Sequence, residues 1–276
     1  MINGRTSLIA HLGYPTETFT APMIYNPWFA QRGINAVVVP MGVMAEDYPT
    51  FLKSLFQLSN IHGALVTMPH KATTPSLLDE VSVAVKVAGS CNAILRRADG
   101  SLYGEMFDGE GFVRGAKRSG FDFRGTDCLV VGAGGVGSAI SAAIAQERPR
   151  SLALFDIRSA AAANLADRLA RQYPGLRIAL RGNDPADYHL VVNATPLGMN
   201  PGDPLPFDPG RVDPTTFVAD VVLKPETKLL AMVAARGCRY IVGTDMLFEQ
   251  IPAYLEFFGY GSVTPDELRA VARIAY

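Results

Sequence analysis

Lys71 stands where a cation has no obvious reason to be. In "GALVTMPHKATTPSLLDEV" (residues 63–81) it follows an apolar run, residues 64–68, that reads as a buried strand, with Pro69 and His70 between. A lysine there either snorkels to solvent or faces a cleft. In a partly desolvated cleft beside a carboxylate it can exchange a proton. Asp108, in "GEMFDGEGF", is the carboxylate that could orient it. His70 reads as a structural neighbour of the lysine more than as a catalytic group.

A second constellation, Gly132, Gly134 and Gly137, spells G-x-G-x-x-G within the loop Gly132, Ala133, Gly134, Gly135, Val136, Gly137. Alone the string is weakly specific. Here it follows an apolar strand over residues 126–131 and opens an alanine-rich helix, as a dinucleotide fingerprint requires. The glycines let backbone approach a pyrophosphate, and the helix N-terminus offers it free N–H groups. Asp156 ends the next strand, "SLALFD", 19 positions beyond Gly137. An acid there bonds a ribose 2′-hydroxyl and repels a 2′-phosphate, whereas Arg158, two residues on, can hold that phosphate. The acid weighs more, so NAD is expected ahead of NADP. Hydride transfer to a carbonyl needs a proton donor. The chain has no Y-x-x-x-K pair and no zinc spacing, which leaves Lys71 and Asp108.

These residues need a scaffold, and the pattern supplies one. Apolar strands alternate with helical stretches nearly throughout, the signature of α/β architecture with parallel sheets. "SLIAHLG", "INAVVVPM" and "GALVTMP" read as strands, with helices over 22–32 and 45–58 between them. Repeated β-α units over residues 108–243 predict a doubly wound Rossmann domain for NAD(P). Residues 1–107 predict an α/β domain before it, and the tail over 244–276 reads as helical, able to pack back on that domain, with Thr264 as N-cap and Pro265 opening the last helix.

At 276 residues, 49% hydrophobic and 18% charged with net charge −1, the chain can bury a large core and lacks the basic surface that nucleic acid or an anionic membrane attracts. No run approaches a membrane span. Cys91, Cys128 and Cys238 are far apart, and the four histidines form no ligand set, so no metal is expected. Unpaired thiols and a first segment without a secretion signal point to the cytoplasm.

In order along the chain, "GYPTETFTAPMIYN", "LVTMPHK", "AGSCNAI", "GEMFDGEGF", "VVGAGGVGSA", "VVNATPLGM", "DVVLKPET" and "GTDMLFEQ" resemble the motifs of the shikimate/quinate dehydrogenase family over nearly the full length. The resemblance implies two domains, the substrate domain of residues 1–107 being completed by 244–276, and reversible NAD(P)-dependent oxidation of a ring hydroxyl to a ketone, in aromatic biosynthesis or quinate breakdown. It places Lys71 and Asp108 on the catalytic pair and Thr67, Asn92 and Gln250 on substrate hydroxyls. It adds Asn193, Thr195, Val222 and Gly243 to the cofactor contacts. The implied partner is a small hydroxylated ring carboxylic acid or an analogue, taken by a monomer or homodimer.

Departures from the family gather at the expected substrate pocket. Phe19 and Ala21 stand where two serines would grip a ring carboxylate, with Thr18 and Thr20 nearby as substitutes. Met106 and Phe107 replace asparagine and threonine beside the aspartate, and Leu223 a frequent tyrosine. Each lost charge-assisted bond is worth ~1.5–3 kcal/mol. Three readings follow: the family reaction itself, the same chemistry on an aminoshikimate-like or less polar alcohol, or an NAD(H) sensor with little turnover.

Overall fold

The protein is described by a computed structural model covering residues 2–17 and 19–274, so Thr18 lies outside the described residues. The chain divides into two compact units, residues 1–107 with 251–276, and residues 108–250.

The first unit opens with β1 (Ser7–Gly13), α1 (Pro22–Arg32), β2 (Ala36–Gly42), α2 (Tyr48–Leu55) and β3 (Ile61–Val66). Pro22 starts α1 and Gly33, in the left-handed region at φ 65°, ends it. Both choices follow from backbone chemistry: proline lacks a donor that the first turn could not use, and glycine enters the left-handed region without strain. β4 (Glu80–Val81), α3 (Val83–Ala88), β5 (Ala93–Arg96) and β6 (Leu102–Glu105) complete the sheet, in the order β2-β1-β3-β5-β6-β4.

Two details differ from the sequence reading. α2 is shorter than the expected 45–58. The sheet is mixed, since β5 runs antiparallel to both β3 and β6. β5 and β6 form a hairpin whose turn closes through Arg97 N–H to Ser101 O at 2.9 Å, with Gly100 at φ 86°. The Asp99-Gly100 pair was the available signal, but four-residue strands ending in Arg96 and Glu105 carry too little periodicity to stand out.

The second unit holds α4 (Asp108–Arg118), β7 (Asp127–Val131), α5 (Gly135–Gln146), β8 (Ser151–Phe155), α6 (Ser159–Gln172), β9 (Arg177–Leu180), β10 (Leu190–Asn193), β11 (Phe217–Asp220), α7 (Lys228–Ala235), β12 (Tyr240–Ile241) and most of α8 (Gly243–Phe257). Its strands pair in parallel in the order β12-β11-β10-β7-β8-β9, so the order reverses beside β7. Ligands of open α/β sheets bind beyond the strand ends at such a reversal. Leu129, Val131, Val191, Val218 and Leu230 form its apolar centre, at ~1.5–3 kcal/mol for each fully buried side chain.

The unit runs to Gln250, past the expected end at Gly243. The first turns of α8 pack on α4, where a Cβ on Gly111 would lie 2.7 Å from Met246 O, and Arg118 pairs with Glu249 at 3.2 Å. The chain then closes the first unit through the rest of α8 and α9 (Pro265–Val271). A capping box on Thr264 and Glu267 starts α9 after Pro265 enters at its first turn, and Arg32 of α1 pairs with Glu267 at 2.6 Å. Among the described residues no helix is long and apolar enough to cross a membrane, and no group of three or more His, Cys, Asp or Glu could hold a metal ion.

Candidate functional site

In the first unit the chemistry gathers where β1 and β3 end. Lys71, half-buried, rides on a single 3-10 turn, His70–Ala72, just beyond β3. The turn is pinned on both sides: His70 N–H donates to Thr67 O at 3.0 Å, and Cys91 N–H donates to Lys71 O at 2.9 Å. His70 is buried and stacked on Tyr48, centroids 3.9 Å apart, with its Nε2 3.0 Å from Val43 O. Thr74 Oγ1 donates to His70 O at 2.9 Å and lies 2.7 Å from the Tyr48 hydroxyl. Burial pushes the His70 pKa down, against the bond to Val43, so a neutral ring anchors the lysine turn.

Thr67 stands beside Gly13, where a Cβ would also meet Phe19 Cζ at 2.8 Å and Met68 O at 2.8 Å. Only glycine lets the Phe19 ring approach β1 this closely. That ring, half-buried, stacks on His11, with centroids 4.1 Å apart and planes at 28°. Ala21 is buried at the start of α1. Asn92 is buried, and its Oδ1 accepts from Phe107 N–H at 2.9 Å. Phe107, expected at the pocket wall, is 7% exposed, and its ring packs edge-on against Tyr254 and Phe257 at 4.7 and 5.4 Å. Met106 is buried too.

Asp108 and Gln250 are the first and last residues of the second unit, and both are buried. Gln250 Oε1 has no hydrogen-bond partner, an uncommon state for a buried polar atom.

The second unit carries the glycine loop that the sequence marks as a phosphate cradle. Gly132, at φ 109°, follows β7, and a Cβ there would lie 2.7 Å from Ala194 O. A Cβ on Gly137 would lie 2.8 Å from the Gly132 carbonyl carbon and closer still to its oxygen. These two glycines are therefore demanded by packing. Gly134 is different: it caps α5 and has nothing within 4 Å of its Cβ position, which is the space a phosphate needs. Gly135 and Val136 begin the helix.

Asp156 reaches from the end of β8 into this loop, its Oδ2 accepting from Ala133 N–H at 2.7 Å and its Oδ1 from Arg158 N–H at 2.8 Å. Burial raises the Asp156 pKa, but the Ala133 and Arg158 N–H groups and the Arg158 guanidinium outweigh it and hold the carboxyl below its ordinary value. Arg158 sits 3.5 Å away, largely exposed.

Asn193 is fully buried. Its Nδ2 donates to Leu197 O and Asp220 Oδ1, both at 3.0 Å, and its Oδ1 accepts from Thr195 N–H and Oγ1 at 3.1 and 2.6 Å. Asp220 also accepts from Val222 N–H at 3.1 Å and Thr227 Oγ1 at 2.7 Å. Burial raises the Asp220 pKa against these bonds. A Cβ on Gly243 would lie 2.5 Å from Val222 O. Asn193, Thr195, Val222 and Gly243 thus shape the loops after β10, β11 and β12. Sequence reasoning missed Asp220 and Thr227, whose only signal was an acid ending an apolar strand seven residues before a helix N-cap. It also missed His11, which reads as one polar residue in an apolar strand.

A surface recess lined by Phe56, His62, Arg96, Arg97, Ala98 and Gly100 contains none of these residues.

Residues 12–94 match the family model for the shikimate dehydrogenase substrate binding domain. A shikimate dehydrogenase (NADP(+)) of Rubrobacter xylanophilus is 34% identical over 259 residues, 90% of this chain and 89% of that protein. The crystal structure of Listeria monocytogenes shikimate 5-dehydrogenase with shikimate and NAD superimposes with a TM-score of 0.90 at 26% identity, over 98% of this chain and 97% of that one. Quinate dehydrogenase from Corynebacterium glutamicum, in complex with NAD, gives 0.87 at 27% identity, over 96% and 98%.

Proposed function

The chain belongs to the shikimate/quinate dehydrogenase family, and on that premise we propose that Lys71 and Asp108 act as the acid–base pair of a reversible, NAD(P)-dependent conversion of a ring hydroxyl to a ketone. The bound dinucleotide supplies the hydride acceptor. In the oxidising direction the hydroxyl proton passes to Lys71 Nζ as the carbon's hydride departs, and Asp108 steadies the charge. In reduction Lys71 returns a proton to the oxygen. The pinned turn under Lys71 supports this role, because general acid–base catalysis depends on a fixed proton donor. Thr67, Asn92 and Gln250 hold the substrate's other hydroxyls, and the unpartnered Gln250 Oε1 fits that assignment.

The observation that carries the reading is the glycine cradle, open at Gly134 and clamped by Asp156. Asp156 also sets the cofactor choice proposed here, NAD ahead of NADP, since a carboxylate accepts from a ribose hydroxyl and repels a phosphate. Phe19 and Ala21 favour a second reading of the substrate, an analogue that lacks the family's ring carboxylate.

The test is the initial rate of reduction of NAD and of NADP, supplied separately, with ring alcohols that do and do not carry a carboxylate. Turnover of any of them with faster use of NAD is expected. A protein that binds NAD yet oxidises none of them with either cofactor would be a sensor, and the dehydrogenase reading would fail.

A further inference from the structure

His11 has no part in the chemistry above, yet it occupies the same corner of the first unit. It lies two residues before Gly13 on β1, and so on the same strand face. It is 8% exposed, and its Nδ1 is buried without a hydrogen-bond partner. A buried ring nitrogen without a partner is rare, and leaving it unpaired is destabilising. The Phe19 phenyl covers the imidazole, with its tip beside Gly13 and Thr67.

We propose that His11, Phe19 and Ala21 form a wall that selects an uncharged, hydroxyl-bearing substrate, one of whose hydroxyls takes the hydrogen bond left open at His11 Nδ1. The proposal rests on the dehydrogenase reading and names the substrate class of that same site. Phe19 and Ala21 offer a carboxylate no side-chain donor, so one bound against them would lose hydration without a hydrogen bond from either. The imidazole cannot supply the missing charge: burial first, and the Lys71 cation second, push its pKa down to about 3. A neutral ring can still pair with a hydroxyl, as donor or acceptor by tautomer. Nδ1 is buried and the Phe19 ring stacks on the imidazole, so the proposal requires the Phe19 side chain to move aside for a hydroxyl to reach it.

The experiment compares kcat/KM for shikimate and quinate with that for uncharged ring polyols (myo-inositol, quercitol and cyclohexanetriol), using NAD and NADP. At least one uncharged polyol is expected to exceed both acids by about tenfold or more, the scale of one lost charge-assisted bond. His11→Val should lower that polyol's kcat/KM by ~2–13-fold, the scale of one neutral hydrogen bond. The double variant Phe19→Ser, Ala21→Ser should shift preference towards quinate. Faster turnover of either acid than of every polyol would overturn the proposal while confirming the dehydrogenase. If nothing turns over, histidine-labelled NMR decides. A His11 nitrogen shift on adding a polyol to the NAD complex supports the proposal. No shift with any polyol, or a shift only with an acid, overturns it.

Discussion

Replacing Gly134 by alanine separates cofactor binding from folding. At Gly134 the backbone has φ −73° and ψ −169°, which any residue adopts, and the Cβ would meet nothing within 4 Å. Alanine removes ~0.4–1 kcal/mol of unfolded-chain entropy. Gly134 is also the N-cap of α5, where alanine is worse than glycine by several tenths of a kcal/mol or more, so the two effects nearly cancel. The Tm should move by no more than ~2 °C. Binding should behave differently. If a pyrophosphate reaches the α5 N–H groups through this open space, as proposed, the methyl group stands in its way. Loss of one charge-assisted bond costs ~1.5–3 kcal/mol, or ~10–150-fold in Kd.

Gly137→Ala is the contrasting case. Its Cβ would press on the Gly132 carbonyl, 2.8 Å from the carbon, so overpacking of ~1–3 kcal/mol should lower the Tm along with affinity. Calorimetric titration with NAD, paired with thermal unfolding, reads both quantities. A Gly134→Ala protein that binds NAD as tightly as the native one would refute the placement of the phosphates.

Lys71→Ala should lower kcat by ~10²–10⁴ with NAD affinity intact, and steady-state kinetics with direct NAD titration would expose an unimpaired kcat. Asp156→Ala should weaken NAD more than NADP; because Ala133 N–H also loses its acceptor, both should weaken somewhat, and equal losses would exclude a ribose contact. Thr264→Ala removes the α9 capping box and should cost ~1 kcal/mol, seen as a small fall in the denaturant midpoint. Asp127, bonded by Arg150 at 2.9 Å and Ser151 at 2.6 Å, has its pKa lowered to about 2, chiefly by Arg150 and against burial. Its stabilisation is therefore complete above the unfolded value, ~4, and lost as pH falls towards 2. Arg150 is 50% exposed, which limits the pair to ~1 kcal/mol. Asp127→Asn should lower stability at neutral pH, and urea titrations of both proteins should converge near pH 2.

The architecture was legible where the signal is local. Continuous apolar strands such as β7 and β10, Pro22 before α1, Thr264 before α9 and the glycine string after β7 each obey rules spanning fewer than about ten residues, so composition and spacing suffice. The family motifs were equally legible, because each is a short string in a fixed order. What lay beyond the sequence depends on partners far apart in the chain. Phe107 stands beside Asp108 in sequence, but only the fold shows that Tyr254 and Phe257 pack against its ring. Asp220 becomes the hub for Asn193 and Thr227 only when β10 and β11 pair. Gly13 and Gly137 look alike as letters, but one admits a phenyl ring and the other a backbone carbonyl. His11 is a single polar residue until the Phe19 loop folds over it and strips its Nδ1 of any partner. Sequence thus determined which chemistry the chain could carry. Burial and long-range packing decided which side chains are left open to a ligand, because those depend on what the tertiary fold places beside each atom.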